Sequence, residues 1–341
     1  MTLRGVYVPF AAWGLVALGG GIGVALVVVG PLVDNYTLRL VTDAVIFALF
    51  GIGVNLLLGY VGLPSLGHAA FYGLAAYAAS VWSKEVVANF WVATAVALSI
   101  TGGFGAIYGA LAVRTRGVYF LMVTLAVAEL LRAGAIKLKD VTGGSDGLAA
   151  VPRPDLGPLP WKVTDPLAFY YLTVAVFLMG LVSFWLMSRS SFGLALKGVR
   201  ENEERMLSLG YDAWRLKVAA FVLSALYTGL AGVLHAYHLR FVSPEILSLL
   251  TSARALLTAI LGGAGTVLGP VFGAFLLTFV EHLVESVTER WMMVLGLLYV
   301  LTVLVAPTGL GPAAVRGVQR ARVALTRRMG GEPVSATGRG R

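Results

Sequence analysis

Four histidines, one in-span carboxylate and two glycine-rich interruptions are the groups with which this sequence could do chemistry. Glu129 is the only carboxylate well inside a clear apolar span, and Arg132 follows three residues later on the same helix face. Groups at that spacing can pair. A carboxylate at membrane depth is a candidate for substrate contact or proton relay. A structural ion pair between Glu129 and Arg132, near the outer end of the helix, is the simpler reading. His235 and His238 stand three apart near the end of a span, but no third ligand accompanies them, so no metal site is expected. Glu281, His282 and Glu285 gather at one end of a broken span, where they could simply face outer water. Cysteine is absent, which removes Cys nucleophiles, Cys-ligated zinc and Fe–S clusters. No nucleophile, base and oxyanion donors assemble. The residues point away from an enzyme and call for no cofactor in this chain.

The interruptions offer backbone rather than side-chain chemistry. The run from Gly59 to His68 breaks two apolar stretches, and Gly262-Gly263-Ala264-Gly265-Thr266 with Gly269-Pro270 breaks another. Breaks of this kind are tolerated where neighbours satisfy the freed N–H and C=O groups or where a cavity is lined. In transporters they often mark the solute site. Candidate pathway residues are therefore Gly59, Tyr60, Ser65 and His68, with Gly262, Gly263, Gly265 and Thr266. A plain turn remains open for the first break and close helix packing for the second. Three small-residue steps favour such packing: Gly105/Gly109, Gly265/Gly269 and Gly269/Gly273. A third glycine-rich run, Thr142 to Gly147, lacks the following Gly-Lys-Ser/Thr of a phosphate loop and reads as a tight turn.

The elements that must position these residues are membrane helices. The 341 residues are 58% hydrophobic and 13% charged, against about 45–50% and about 25% for soluble domains. Uncharged runs of about 20 residues can cross a hydrocarbon core. They fall near 11–30, 44–62, 66–82, 90–113, 117–136, 167–188 and 218–239, then a broken region 255–288, and 291–307. The first is expected to be a retained helix rather than a cleaved signal peptide. With the N-terminus inside, the inward segments hold 16 of the 26 Lys and Arg but only 5 of the 17 Asp and Glu. That bias obeys the positive-inside rule. It requires 255–288 to cross twice or to leave by the side it entered. The expected fold is an all-α polytopic membrane protein of about ten crossings, or eight plus a re-entrant loop.

Two segments outside the spans stand apart. The outward loop 137–166 holds five of the 13 prolines, and 152–166 is too proline-dense for helix. The inward segment 189–217 carries a helix of about 16 residues, 194–209, bracketed by Gly193 and Gly210. Arg200, Glu201, Glu203, Glu204 and Arg205 lie beside Leu196, Val199, Met206, Leu207 and Leu209. A charged amphipathic helix can lie on lipid or dock on a partner. Its mixed signs favour a partner groove over anionic lipid. The tail after Pro307 has seven arginines and one acid. Topogenic charge or lipid headgroup contact suffices for it, and no element that would read nucleic acid accompanies it. The chain thus divides into one transmembrane domain, 1–310, and a basic, unstructured cytoplasmic tail, 311–341.

Several segments together resemble the LivM-type permease subunit of bacterial branched-chain amino acid ABC importers. They are Asn55 to Tyr60 with Leu66 to Phe71, Arg116 to Phe120, Thr124 to Ala126 with Glu129, and Thr142 to Gly147. Arg200 to Glu203 with Leu209 to Tyr211, Val242 to Glu245, and Leu261 to Thr266 with Gly269-Pro270 follow in the same order. The resemblance implies an importer permease fold of about ten helices in the bacterial inner membrane, both termini cytoplasmic. It implies a second, homologous permease subunit, two cytoplasmic ATPase subunits that bind ATP and Mg, and an extracytoplasmic substrate-binding protein. It also implies that 194–209 couples to an ATPase through Arg200, Glu201, Asn202, Glu203, Leu209 and Gly210. A permease for urea or short-chain amides fits the same pattern. An ion-coupled secondary transporter is the competitor outside the family. A channel is less well matched, since no filter-like ring repeats.

Overall fold

The computed structural model describes residues 20–155 apart from Ile22, residues 165–287, and Met293, Gly296 and Leu297. The first half of the helix expected over 11–30, nearly all of the one expected over 291–307, and the tail 311–341 therefore lie outside the described residues, as does most of the proline-dense strap.

Among the described residues the chain is helical, in the order α1 (Gly23–Leu32), α2 (Asn35–Asn55), α3 (His68–Glu85), α4 (Phe90–Ala112) and α5 (Val118–Lys137). A short α6 (Lys139–Thr142) precedes β1 (Leu148–Ala149). Then come α7 (Pro166–Arg189), α8 (Ser191–Glu201), α9 (Glu203–Ser208), α10 (Ala213–Leu239), β2 (Phe241–Val242), α11 (Leu249–Gly262) and α12 (Gly269–Val287). Among the described residues five helices are long and apolar enough to cross a membrane: α2 with its extension to Val61, α4, α5, α7 and α10. The chain is a multi-pass membrane protein.

The starts of these helices are written locally. Asp34, Asn89, Asp165, Ser190, Asn202, Asp212 and Ser248 each accept a backbone N–H of the first turn that follows. Such caps satisfy amides that would otherwise lack partners. Packing follows from how apolar each helix is around its circumference. Val45 to Val54 of α2 are buried on every side, as expected of a helix hydrophobic all round. It is the central element, enclosed by α7, α10, α11 and α12. By contrast α5 leaves Met122 and Leu130 exposed at its periphery. The Gly105/Gly109 step works as small-residue packing: α4 rests there against Ala225 and Phe221 of α10, with no room for an added Cβ.

The broken region 255–288 is an antiparallel hairpin. Gly262 of α11 meets Gly269 and Gly273 of α12, and Gly273 meets Thr258. The turn between them spans 263–268 and lies at the level of the end of α2. At 14 residues, α11 is about 21 Å long, shorter than a hydrocarbon core of about 30 Å. On the opposite side, β1 pairs antiparallel with β2, Leu148 opposite Val242 and Ala149 opposite Phe241. That pairing ties the 137–166 loop to the segment between α10 and α11. The run Thr142 to Gly147 forms the turn of this tie, with a 3₁₀ turn over Gly144–Asp146.

Two expectations need correction. The inward helix over 194–209 is two helices, because Asn202 is extended (φ −158°, ψ 101°) and caps α9 through Arg205 N–H. The first of them begins at Ser191, capped by Ser190, so Gly193 lies inside the helix rather than before it. Glu129 is also not the only carboxylate within a helix of the bundle. Asp43 lies inside α2, and Glu281 lies inside α12 against Arg254 of α11.

Candidate functional site

The two glycine-rich breaks are packed on each other. After Asn55, α2 widens into a π-helical turn, Leu56–Val61, which Gly62 ends in the left-handed region at φ +81°. Only glycine takes that conformation without strain. Facing it is the 263–268 turn, where Gly265 also has positive φ. Asn55 joins them: its side-chain amide donates to Thr266 O and its oxygen accepts Gly265 N–H, both at 2.8 Å. A Cβ on Gly59 would collide with the Gly265 backbone. The freed polar groups of both breaks are therefore largely turned toward each other.

A third element closes this junction. Arg200, near the end of α8, donates from Nη1 to Gly59 O and lies beside Gly62 and Gly265. One turn earlier, Lys197 Nζ sits 4.8 Å from the centroid of the Tyr60 ring, which meets Phe184 of α7 edge-on. Leu196 and Val199 of α8 are buried beneath these contacts. The helix α8 is thus clamped onto the π-turn by two cations and an apolar face.

The remaining candidates divide by what they touch. Glu203 faces its own chain, with Lys217 Nζ at 2.6 Å and Arg116 Nη2 at 3.3 Å. Glu201, Asn202, Leu209 and Gly210 are exposed, and Leu207 and Tyr211 beside them are exposed as well. Gly262 packs inside the α11–α12 hairpin, and Thr266 donates to Gly263 O while its hydroxyl accepts Gly269 N–H. Ser65 and His68 do not join the junction. Ser65 Oγ accepts Gly67 N–H, while His68 is fully enclosed with Nε2 2.7 Å from Ser224 Oγ. On α5, Arg132 Nε pairs with Glu129 at 2.9 Å and Nη1 lies 3.6 Å from Glu245. Among the described residues no group of acids and histidines is arranged to hold a metal ion.

Comparison with known proteins follows the same segments. The family described as branched-chain amino acid transport system / permease component matches residues 36–305. The chain belongs to this permease family. It is 31% identical over 303 residues to the high-affinity branched-chain amino acid transport system permease protein LivM of Escherichia coli K12. The match covers 82% of this chain and 71% of that protein. The protein of the same name from Salmonella typhimurium LT2 matches to the same extent. An autoinducer 2 import system permease protein, LsrC of Klebsiella pneumoniae, is 31% identical over 189 residues, 52% of this chain and 51% of its own. No solved structure matches.

The junction links α8 to both breaks: Arg200 holds Gly59 O, and Asn55 ties the end of α2 to the hairpin turn. Asn55 is the residue sequence reasoning passed over as a site. Its signal was present, since a side-chain amide buried in an apolar helix one turn before a glycine break must find backbone partners. The partners themselves lie 210 and 211 residues away, which no local pattern reports.

Proposed function

We propose that this chain is a membrane-spanning permease subunit of an ATP-driven importer of branched-chain amino acids. Membership of the family and the likeness to the LivM permeases of Escherichia coli and Salmonella typhimurium support the substrate class. In that assembly ATP and Mg bind to two cytoplasmic ATPase subunits, a second homologous permease completes the pathway, and an extracytoplasmic binding protein delivers the solute. The subunit sits in the bacterial inner membrane with both termini cytoplasmic. The antiparallel return of α12 along α11 brings the chain back to the side it left, as both ten crossings and eight with a re-entrant hairpin require; residues 1–310 make the transmembrane domain and 311–341 the basic tail.

The observation that carries the mechanism is the contact of Arg200 with Gly59 O. The helices α8 and α9 present exposed Glu201, Leu207 and Leu209 to the cytoplasm, a mixed surface suited to an ATPase groove. Their other face holds the π-turn. Closure of the ATPases moves α8, and the Arg200–Gly59 and Asn55–Gly265 contacts transmit that movement to the two breaks. Opening the junction exposes Gly59, Tyr60, Gly262, Gly263, Gly265 and Thr266 to the pathway, whose N–H and C=O groups then meet the amino acid. The test is reconstitution with the partner subunits and the binding protein in liposomes. Leucine, isoleucine and valine uptake should require ATP and the binding protein, and Arg200→Gln should abolish uptake while basal ATP hydrolysis persists. Uptake of urea or acetamide in place of leucine would move the substrate class, and normal uptake by Arg200→Gln would remove the mechanical role.

A further inference from the structure

Away from the junction, the outer half of the bundle holds a cluster of charged and aromatic side chains that the coupling account does not use. Asp43 lies eight residues into α2, about 12 Å along its axis. Phe47 is one turn further on the same face. The guanidinium carbon of Arg254, from α11, lies 4.1 Å from the centroid of the Phe47 ring. Arg254 also pairs through Nη2 with Glu281 of α12. On the other flank of Asp43, His238 Nε2 is 3.4 Å from Oδ1. Behind these groups Tyr72 packs 6.4 Å from Phe47 and 5.2 Å from His235, centroid to centroid.

Two features of this cluster demand an occupant other than lipid. The Asp43 side chain is 38% exposed and that of Arg254 33% exposed, yet both belong to helices of the bundle. Ionised groups at membrane depth face protein or a water-filled cavity, because hydrocarbon cannot solvate them. Arg254 is also left with unused capacity: its Nε–H is enclosed and has no acceptor among the described residues. Glu281 meets the fork at Nη2. A cleft of about 300 Å³ of mixed lining, which includes Arg39, Thr42, Arg153, Asp165, His238 and Arg240, adjoins Asp43 through His238 and Thr42.

We propose that Asp43 and Arg254 form a passage site for a zwitterion on the outer half of the pathway. Asp43 takes the α-ammonium group and Arg254 the α-carboxylate, with buried Phe47 and Tyr72 supporting the two charged side chains from behind. The site rests on the reading of this chain as an amino acid importer. It adds a point of contact well removed from the Asn55–Gly265 junction. Opposite charges on two neighbouring helices, α2 and α11, select molecules that carry both ionised groups, which urea and simple amides lack.

The experiment uses the reconstituted importer and leucine-loaded binding protein. Asp43→Asn and Arg254→Gln should each lower leucine uptake roughly tenfold or more, the scale of a lost charged hydrogen bond. Binding-protein-stimulated ATP hydrolysis should stay close to the unsubstituted rate, and Asp43→Glu and Arg254→Lys should recover part of the uptake. A purely structural role would instead lower assembly, ATP hydrolysis and uptake together. The chain contains no cysteine, so Asp43→Cys and, separately, Arg254→Cys each supply a single thiol. In the assembled importer each should react with a membrane-impermeant methanethiosulfonate added from outside. Thiols that react in the isolated subunit but are sealed in the complex would make this face a subunit contact and overturn the proposal, as would unchanged leucine uptake by both neutral variants. Failure of the unsubstituted complex to import leucine would refute the functional reading instead, and the thiol accessibility would still decide whether the cluster faces the pathway.

Discussion

Asn55 and Arg200 are the two side chains on which the junction depends, and their removal should have different consequences. Asn55 satisfies a donor and an acceptor in the 263–268 turn. Asn55→Ala leaves both backbone groups without partners, which costs about 1–3 kcal/mol each where water cannot reach them. Lowered thermal stability in detergent together with reduced uptake is the expected result, read by a melting curve and a transport assay on the same preparation. Unchanged melting would mean that the turn is held by Gly262 and Gly273 packing alone. Glu201 and Glu203 separate in the same way. Glu203 neutralises Lys217, whose side chain is 7% exposed, so Glu203→Ala leaves a nearly buried cation uncompensated. A loss of about 3 kcal/mol or more is typical of such a break, and poor recovery of the folded subunit should follow. Glu201→Lys changes only an exposed charge and should leave the subunit in the membrane while uncoupling ATP hydrolysis from uptake. Equal behaviour of the two variants would contradict this division.

At the scale of elements, the spans around α2, α4, α5, α7 and α10 were legible because each is a long apolar run, and all but α5 start at a polar cap. The interruptions at 59–68 and 262–270 were legible through their glycines. What the chain did not display locally was that the breaks meet. That fact depends on Asn55 reaching Gly265, and on the antiparallel return of α12 along α11. The division of the inward helix at Asn202 was missed because an asparagine inside a charged, helix-favouring run reads as a surface position; only its extended backbone shows it capping α9. Asp43 and Arg254 were placed outside the spans because a charge ends an apolar run, whereas in the structure Asp43 lies beside His238 and Arg254 over Phe47 with Glu281. The hairpin turn carries its own prediction. Gly265 has φ +85° and sits against Gly59 O, so Gly265→Leu combines backbone strain with a collision. Uptake should be lost while the subunit still copurifies with its ATPases. Wild-type uptake would remove the turn from the pathway, and lost copurification would reduce it to a packing device.

For the whole molecule, the orientation proposed for the subunit puts α8 and α9 at the cytoplasmic face, on the strength of the concentration of Lys and Arg in the inward segments. The central claim is that energy enters through α8 from an ATP-hydrolysing partner and emerges as movement of the two breaks. The most direct measurement is leucine uptake by the reconstituted complex, with ATP inside the vesicles and no ion gradient, comparing the unsubstituted chain with Arg200→Gln. The account predicts accumulation that depends on ATP and the binding protein, and its loss in Arg200→Gln with basal ATP hydrolysis retained. Uptake driven by a proton or sodium gradient without ATP, unchanged by Arg200→Gln, would contradict it.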